Sequence, residues 1–436
     1  MKRFCMLLLV LTFIFSFVPK GFTASDEEIH ALKQQVQELM KRIEKLEFEQ
    51  TQTKVDAAKA KEEVTQLKET TQATQPSRVD LANSLSKLKI KGRWAAGYLA
   101  SGKAGSYPDG SFEIPEGKIQ FAFEPDKINT VVMRLNVNNA TAASPLLDYF
   151  YLQSKNFIPA LKNSPYTIST RLGRFKLGFG EETFSDNPVE GILPSTSAGK
   201  VGVSDEGFEV AGTVAATRLF KKHPLGWLVS VSDGNSGVGS DSGAARALMT
   251  KLNYSPIDPL YLSASYYTSG DLKISASEFS IAGLTSRPTG ATNWKRRAWE
   301  LDARYDFGKG KKPLEPPVYS DSKAITRLSY GRFEDETTTG SAGKRTGSFG
   351  FVDGIYNFNK KIYGASRISL VDLDGDVTAA LNGVTTNLYE RFSFGGGYRW
   401  SDNTIIKLSY DINKNTGVST ENADDNQISA LVTTQF

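Results

Sequence analysis

Cysteine and histidine are nearly missing from this sequence of 436 residues. Cys5 is the one cysteine, and His30 and His223 are the two histidines. With so few thiols and imidazoles, the chain offers no disulfide framework and few ligands for a transition metal. A hydrolase that activates a nucleophile with histidine has equally few candidate residues. The sequence therefore predicts no enzyme, no catalytic metal and no bound cofactor.

Long hydrophobic runs are also missing after residue 24, although 39% of all residues are hydrophobic. A membrane-spanning helix needs roughly 18 or more consecutive apolar residues, so helical spans are excluded from that part of the chain. A membrane β-barrel is not excluded, because its strands present an apolar side chain to lipid only at every second position.

A strong excess of charge of either sign is missing too. The chain has 52 basic and 48 acidic residues, which gives a formal net charge of +4. Without Lys2, Arg3 and Lys20 of the amino-terminal segment the net charge falls from +4 to +1. This balance gives no indication of a nucleic-acid partner.

The first residues have the composition of a secretory signal peptide. Lys2 and Arg3 precede an apolar run over residues 4–18, and small or turn-forming residues follow. This order is typical of a cleaved leader, so we predict a signal peptide over residues 1–24, with a retained anchor as the alternative.

Residues 25–70 have core positions at alternating spacings of three and four. These positions are Ile29, Leu32, Val36, Leu39, Ile43, Leu46, Gln50, Thr53, Ala57, Ala60, Val64 and Leu67. Such heptads predict a coiled coil, whereas the alternative, a single amphipathic helix docked on a domain, would need a wider apolar face. Residues 71–87 break the heptads, include Pro76, and are predicted to be a linker.

The segment RIEKLE, residues 42–47, bears on the number of helices in the coiled coil. Ile at a positions with Leu at d positions would by itself favour two helices. Arg42, Ile43, Leu46 and Glu47, however, resemble a short trimerisation signature of parallel coiled coils, in which the Arg bridges to a Glu of a neighbouring helix. An ordinary surface charge pair is the alternative. The resemblance implies a homotrimer.

From residue 88 onward the side-chain pattern changes to a period of two, which predicts β-strands. In residues 299–307, for example, Trp299 and Leu301 share one side, and Glu300 lies on the other. A soluble β-sandwich alternates in the same way, so the alternation alone does not decide between a sandwich and a membrane barrel.

The connections between strands alternate between short and long. Short connections are predicted near residues 125–129, 221–226, 255–259, 359–361 and 401–403, and long ones near 101–116, 176–206, 270–294, 373–387 and 414–426. Two further connections, 156–165 and 308–322, are longer than this alternation allows. Short periplasmic turns and long extracellular loops are typical of outer-membrane barrels. We therefore predict a transmembrane antiparallel β-barrel of about sixteen strands over residues 88–436.

Several segments resemble known outer-membrane proteins. The terminal strand ISALVTTQF ends on an aromatic residue, and this resemblance implies that Phe436 is the signal for barrel assembly. LKIKGRW (88–94), RLGRFKLGFGEE (171–182) and GFVDGIYNFNKKIYGASRISLV (350–371) resemble the phosphate-selective porin O and P superfamily. With the coiled coil added, the chain is most similar to the DcaP-like porins. This resemblance implies a Gram-negative outer-membrane location, a lipid surround and a periplasmic coiled coil.

The predicted loop 176–206 follows the fifth strand, where porins fold a loop into the lumen. Its acidic residues are Glu181, Glu182, Asp186 and Glu190. The alternation predicts that the basic residues facing the lumen are Arg134, Arg171, Lys251, Arg304, Arg327, Arg367, Arg391 and Arg399. A basic wall opposite an acidic loop predicts a transverse electric field, because rings of charge select ions. The alternative is that each charge is simply a solvated part of the inner face.

The expected function is a trimeric, water-filled channel for passive diffusion of small hydrophilic solutes. Clustered arginines favour small anions such as dicarboxylates or phosphate, although the acidic loop departs from the phosphate-selective pattern. One alternative is a structural anchor whose coiled coil contacts peptidoglycan, and another is a barrel sheath for a separate partner protein. Asp372, Asp374 and Asp376 could hold calcium, but a solvated loop is the favoured interpretation.

Overall fold

The computed structural model describes residues 87–137, 146–158, 161, 164, 166–215, 220, 223–234, 246–308, 322–341, 343–375, 377–416 and 425–436. The predicted signal peptide (1–24), the coiled coil (25–70) with Arg42, Ile43, Leu46 and Glu47, and the linker up to residue 86 lie outside them. Within the described residues, no helix is long and apolar enough to cross a membrane.

The structure contains twenty-one strands among the described residues. The first eleven are β1 (Leu88–Ser101), β2 (Ser111–Phe123), β3 (Asn129–Asn136), β4 (Leu147–Lys155), β5 (Tyr166–Lys176), β6 (Val201–Gly202), β7 (Ser204–Val214), β8 (Leu225–Ser232), β9 (Ala247–Ile257), β10 (Leu260–Thr268) and β11 (Ala276–Ile281). The others are β12 (Leu284–Ser286), β13 (Ala291–Asp306), β14 (Ala324–Gly340), β15 (Lys344–Asn357), β16 (Ile362–Leu373), β17 (Ala379–Leu381), β18 (Val384–Thr386), β19 (Leu388–Arg399), β20 (Thr404–Thr416) and β21 (Gln427–Gln435). A 3-10 turn covers Glu182–Phe184.

Sixteen of the strands form one closed antiparallel barrel. Their order around the wall follows the chain, β1-β2-β3-β4-β5-β7-β8-β9-β10-β13-β14-β15-β16-β19-β20-β21, and β21 pairs with β1 to close the sheet. The predicted closed barrel of about sixteen strands is therefore confirmed. Closure removes the free edges through which an open sheet pairs with other chains.

The last residue of the chain completes this closure. The N–H of Phe436 donates to the carbonyl of Gly92, and the N–H of Gly92 donates to the carbonyl of Phe436, both at 2.9 Å. The terminal ring lies over Gly92, where an added Cβ would come within 2.2 Å of the ring. Any side chain at position 92 would therefore displace the Phe436 ring.

Alternate side chains of each strand face opposite sides of the wall. On β20, Leu408 faces outward and is 59% exposed, whereas Lys407 faces inward and is 1% exposed. On β13, Trp299 and Leu301 are exposed on the outer face, and Glu300 is buried on the inner face. The wall is therefore apolar outside and polar inside, which fits the period of two in the sequence.

The two ends of the barrel differ in their connections. The short-turn end carries residues 124–128, 258–259, 358–361 and 400–403, and it also holds the start of β1 and the end of β21. The long-loop end carries residues 102–110, 177–203, 269–290 and 374–387. These names are used below for the two ends.

Several strands run further than the sequence analysis predicts, and two of them contain a proline at a shift of register. β2 begins inside the predicted loop 101–116, and β9 ends inside the predicted turn 255–259. In both strands a proline lies where the register with the neighbouring strand shifts, Pro115 beside β1 and Pro256 beside β10. A bulge tolerates a proline because the residue there has no ladder hydrogen bond to lose.

Three long connections contain strands of their own, which the sequence analysis treats as loops. β6 pairs with β11, β11 with β12, and β17 with β18. The N–H of Ala282 donates to the carbonyl of Lys200 at 2.9 Å, and the N–H of Asn382 donates to the carbonyl of Ala282 at 2.7 Å. These hydrogen bonds join residues 177–203, 269–290 and 374–387 into one inner layer.

An apolar core occupies the lumen at the long-loop end. Phe179, Phe279 and Leu381 of the inner layer pack there with inward-facing Phe333 of the wall, and all four are buried. The rings of Phe179 and Phe279 meet edge to face at 5.0 Å, and Tyr267 stacks on Phe279 at 3.9 Å. The sequence analysis expects a water-filled lumen, but this end is packed because the connections carry apolar side chains that fold inward.

Candidate functional site

The connection between β5 and β7 folds into the lumen, and we call residues 177–203 the constriction loop. Its apolar side chains Leu177, Leu193 and Ala198 are fully buried inside the barrel. Such a loop needs polar partners for its backbone, because no regular sheet covers most of it. The wall supplies these partners at several points along the loop.

The first attachment lies at Gly180. Its N–H donates to the Ser265 hydroxyl at 3.1 Å, and its carbonyl accepts from Lys251 Nζ at 2.7 Å. Gly180 has a φ of +67°, and an added Cβ would come within 2.4 Å of the Glu300 carboxylate. Only glycine combines this backbone conformation with this close approach to the wall.

Glu181, the next residue, forms an ion pair with Arg304 on β13. Both side chains are buried. Burial raises the pKa of the Glu181 carboxyl above its ordinary value, and the positive charges of Arg304 and Lys251 oppose this shift. A buried carboxylate of this kind needs its cation, because an unpaired charge in this environment is costly.

Three arginines on β14, β16 and β19 donate hydrogen bonds to the middle and end of the constriction loop. Arg327 donates to the Ser185 hydroxyl at 2.7 Å. Arg367 donates to the carbonyl of Ser195 at 2.9 Å, and Arg391 donates to the carbonyl of Thr196 at 3.2 Å. These three arginines therefore attach the loop to β14, β16 and β19.

The middle of the constriction loop contains a compact turn over residues 186–191, which we call the tip turn. At its start, Asp186 accepts a hydrogen bond from Lys176. Burial by itself would raise the pKa of Asp186, but the positive charges of Lys176 and Lys200 outweigh that effect and hold the pKa below its ordinary value. Near its end, Glu190 accepts from Arg93 on β1 at 2.8 Å.

A large and a small cavity lie beside the constriction loop in the part of the lumen that the structure describes. The large cavity, of about 820 Å³, reaches the short-turn end, where Asp402 and Gln435 line it. The small cavity, of about 370 Å³, lies between the loop and strands β1 to β4. Both are lined by the same four residues, which we call the neck: Arg93, Arg134, Tyr149 and Lys176.

The neck is basic and partly aromatic. Arg134 lies over the Tyr149 ring at 3.6 Å and donates to Asp148 at 2.5 Å. Arg93 donates to Glu116 at 2.6 Å as well as to Glu190. These contacts fix the directions of the two guanidinium groups, since each is held by a carboxylate in a defined geometry.

Basic residues outnumber acidic ones on both cavities. The large cavity is lined by nine basic residues, Arg93, Arg134, Arg171, Lys176, Lys251, Arg304, Arg327, Arg399 and Lys407, and by three acidic ones, Glu181, Glu190 and Asp402. The small cavity is lined by five basic residues, Arg93, Lys118, Arg134, Lys176 and Lys200, and by three acidic ones, Glu116, Asp148 and Asp186. Two of the nine basic residues of the large cavity also form ion pairs with carboxylates that line neither cavity. Arg171 pairs with Glu209, and Arg327 pairs with Asp353.

The eight basic residues predicted to face the lumen all lie on the inner face, but in two groups. Six of them, Arg134, Arg171, Lys251, Arg304, Arg327 and Arg399, line the large cavity. Arg367 and Arg391 line neither cavity and hold the carbonyls of the constriction loop instead. Their role is attachment of the loop.

The predicted acidic residues do not form a separate wall opposite the basic one. Glu181 contacts Arg304, Asp186 contacts Lys176, and Glu190 contacts Arg93. Glu182 accepts from the N–H of Ser197 at 2.7 Å and lies 3.6 Å from Arg367. Each predicted acidic residue therefore lies beside a basic residue, and the buried Glu181 and Glu182 need such a partner because an unpaired buried charge is costly.

Many residues of the cavities are not among the predicted site residues, and Lys176 of the neck is one of them. Arg93, Lys118, Tyr149 and Lys407 are further examples on the inner face. Strand alternation carries the signal for Lys407, which opposes outward-facing Leu408. Alternation along β2 also carries the signal for Lys118, because Ile119 and Phe121 occupy the other face of that strand after the bulge beside Pro115.

His223, the histidine among the described residues, lies away from the cavities. It is at the short-turn end, where its Nδ1 is 3.7 Å from the Asp258 carboxylate. It lines neither the large nor the small cavity. Asp374, from the predicted acidic loop cluster, accepts from Arg332 at 2.5 Å and from the Thr346 hydroxyl at 2.6 Å.

A closed sixteen-strand antiparallel barrel with a connection folded into its lumen has the fold of the outer-membrane porins. Among solved structures, the chain is similar to the anion-selective porin from Comamonas acidovorans, at 12% identity and a TM-score of 0.51, with 80% of this chain and 99% of that chain covered. It is also similar to the outer membrane channel DcaP of Acinetobacter baumannii, at 11% identity and a TM-score of 0.51, with 80% and 97% covered.

The predicted resemblance to DcaP-like porins is thus confirmed at the level of the fold. No protein-family model matches the sequence. No curated protein matches it either.

Proposed function

We propose that this protein is an outer-membrane porin, a trimeric water-filled channel for passive diffusion of small hydrophilic solutes. The observation that carries the proposal is the pair of cavities that meet at the neck beside an inward-folded loop. A sixteen-strand barrel is wide enough for an aqueous passage once part of its lumen is left free of side chains. The solute route runs from the small cavity, past the neck, to the large cavity.

The channel favours anions in this proposal. Nine basic against three acidic residues line the large cavity, and five against three line the small one. A pore lined with excess positive charge lowers the energy of an anion and raises that of a cation. Dicarboxylates and phosphate are small anions that arginine side chains bind through paired N–H donors.

The outer face of the barrel supports a membrane location. Exposed large apolar side chains occur on strands all around the wall: Trp94, Ile114, Leu152, Leu172, Phe208, Val229, Leu252, Leu262, Leu301, Leu328, Val352, Ile368, Phe392, Leu408 and Val432. A band of this kind in water would be a large aggregation surface, whereas lipid chains cover it at no cost. Outer-membrane lipid of a Gram-negative bacterium is therefore the proposed surround.

The amino-terminal part of the chain completes the proposal. Residues 1–24 are a signal peptide, residues 25–70 are a periplasmic coiled coil that assembles three chains through Arg42, Ile43, Leu46 and Glu47, and residues 71–87 link it to the barrel over residues 88–436. Peptidoglycan is a further partner of the coiled coil. Phe436, paired with Gly92 at the point of closure, is the assembly signal of the barrel.

Planar-bilayer recording of the purified oligomer tests the proposal. We expect stable conductance steps that close in groups of three, and block by a small dicarboxylate or by phosphate added to one side. A correctly folded oligomer that inserts into the bilayer but conducts no ions would overturn the channel function. That result would favour the structural anchor or the barrel sheath.

A further inference from the structure

We propose that Lys407 is a positioning residue that fixes the tip turn of the constriction loop and thereby sets the width and the charge of the neck. The inference rests on the proposed channel function, because width and charge matter only where solutes pass. It does not follow from the excess of basic residues on the cavities. It follows from what the Lys407 ammonium touches.

The Lys407 side chain extends inward from β20, and its ammonium is enclosed by the tip turn. Nζ lies 2.7 Å from the carbonyl oxygen of Pro188, 3.0 Å from that of Val189 and 2.6 Å from that of Gly191. A lysine ammonium has three N–H donors, so these three backbone carbonyls use all of them. The residue is 1% exposed, so little water competes for the group.

The tip turn is shaped to leave these carbonyls free for the ammonium. The Asn187 side-chain oxygen accepts the N–H groups of Val189 at 3.1 Å and Glu190 at 3.0 Å. The Asn187 carbonyl accepts the N–H of Gly191 at 2.8 Å. The amides of Val189, Glu190 and Gly191 are thus satisfied within the turn, and the carbonyls of Pro188, Val189 and Gly191 accept from Lys407. Buried carbonyls that lose their donor are left unsatisfied, which disfavours the turn in its present position.

The same turn also forms the edge of the neck. Glu190 reaches Arg93 there, and Asp186 reaches Lys176. The Glu190 side chain is 43% exposed, so its ion pair with Arg93 is too weak to hold the turn alone. Lys407 therefore holds from β20 the segment that Arg93 and Lys176 contact from β1 and β5.

The test compares Lys407→Met with Lys414→Met in the full chain, in planar bilayers. Lys414 lies on the same strand and is exposed, so its substitution removes the same charge away from the lumen. For Lys407→Met we expect about a twofold larger conductance with flickering current and a weaker anion preference, because a released loop no longer fixes the constriction. Equal conductance, noise and selectivity in the two variants would overturn the inference.

Hydrogen exchange supplies a readout that does not depend on conduction. The amides of Asn187, Val189, Glu190 and Gly191 should exchange faster in Lys407→Met than in Lys414→Met, while barrel amides stay protected in both. If exchange in the tip turn is unchanged, Lys407 does not position it, whatever the conductance. If the unaltered protein conducts nothing, the proposed function fails, and this comparison still decides the role of Lys407.

Chemical rescue separates positioning from a general structural role. Lys407→Ala leaves a space beside the large cavity, which Lys407 itself lines, so n-propylammonium can reach the three carbonyls from solution. We expect millimolar n-propylammonium to restore the original conductance and the slow exchange of residues 187–191, and n-butanol to restore neither. Restoration by both, or by neither, would contradict the assignment of an ammonium cradle.

Discussion

The two halves of the lumen are enclosed by the same sixteen strands, but one half is packed with apolar side chains and the other is an open, basic cavity. At the long-loop end, the inner layer and the inward-facing wall residues form an apolar core. At the short-turn end, the same wall borders a cavity with three times as many basic as acidic residues. A single strand shows both, since β13 contributes Ala298 to the core and Arg304 to the large cavity.

This difference shows that the barrel determines the size of the lumen, and the connections determine how much of it stays open. Apolar side chains on the three long connections close the half that they reach. In the proposed channel, the passage is thereby restricted to the side of β1 to β5, where the neck lies. In that proposal the apolar half supports the constriction loop, and the basic half contacts the solutes.

The largest expected effect is a loss of stability, from a substitution that removes packing in the apolar half of the lumen. Phe279→Ala removes a fully buried ring that packs on Phe179 and Tyr267. We expect a loss of about 4 kcal/mol in the free energy of unfolding, measured by denaturant titration in detergent. Phe358→Ala, which removes a ring that is 61% exposed, is the control and should cost far less. Equal losses in the two variants would show that the inner layer contributes no packing energy.

The second effect tests the attachment of the loop at Gly180. Gly180→Ala introduces a Cβ at a φ of +67° and 2.4 Å from the Glu300 carboxylate, so we expect a loss of about 3 kcal/mol. Gly375→Ala is the matched control, because Gly375 has a φ of +72° with no atom near its Cβ position. Its loss should be about 1 kcal/mol, from backbone conformation alone. Denaturant midpoints of the two variants give the comparison, and equal midpoints would contradict the close approach at Gly180.

The third effect concerns the charge of the neck. Arg134→Gln removes one positive charge at the constriction, and one charge at about 4 Å in water is worth about 1 kcal/mol, or roughly fivefold in an equilibrium. We therefore expect the ratio of anion to cation permeability to fall by up to about fivefold. Arg297→Gln, an equal charge change outside the lumen, should leave the ratio unchanged. An equal fall in both variants would mean that net charge alone sets the selectivity.

The smallest effect is a dependence on pH. Because the pKa of Glu181 is raised, this carboxyl takes up a proton as the pH falls toward its ordinary range, and the large cavity becomes more positive. The anion preference should therefore rise as the pH falls from neutral toward the ordinary glutamate range, by less than about twofold. Glu181→Gln should have the higher preference already at neutral pH and lose this dependence. A preference that falls with pH in the unaltered protein would contradict the assignment.

The pKa of Asp186 is shifted in the opposite direction from that of Glu181, and its effect falls in a different pH range. Its lowered pKa means that the contact with Lys176 stabilises the fold at every pH above the ordinary aspartate value of about 4. That contribution is lost only as the pH falls through the lower, folded-state value. Unfolding measured between about pH 7 and about pH 5 should therefore show no loss from this contact.

Much of the wall could be predicted from the sequence, because alternation is a local property of each strand. Trp299, Leu301 and Leu408 face outward, and the closed barrel follows from the number of alternating segments. The sequence analysis places the ends of β2 and β9 wrongly near Pro115 and Pro256, because a bulge and a turn have the same local composition.

The interior could be predicted only in part, because its contacts join residues far apart in the chain. The sequence identifies the acidic residues of the loop and the arginines of the wall. It does not show that Glu181 meets Arg304, or that Arg367 and Arg391 hold backbone carbonyls instead of lining the passage. The apolar core could not be predicted either, because Phe279 and Leu381 belong to connections with no alternating pattern.

The reversal potential of the unaltered channel in a potassium chloride gradient is the most direct measurement. If the basic neck and large cavity set the permeability, the reversal potential will lie toward the equilibrium potential of chloride, and Arg134→Gln will move it toward zero. A reversal potential at zero or toward potassium in the unaltered protein would contradict an anion-favouring passage along the neck.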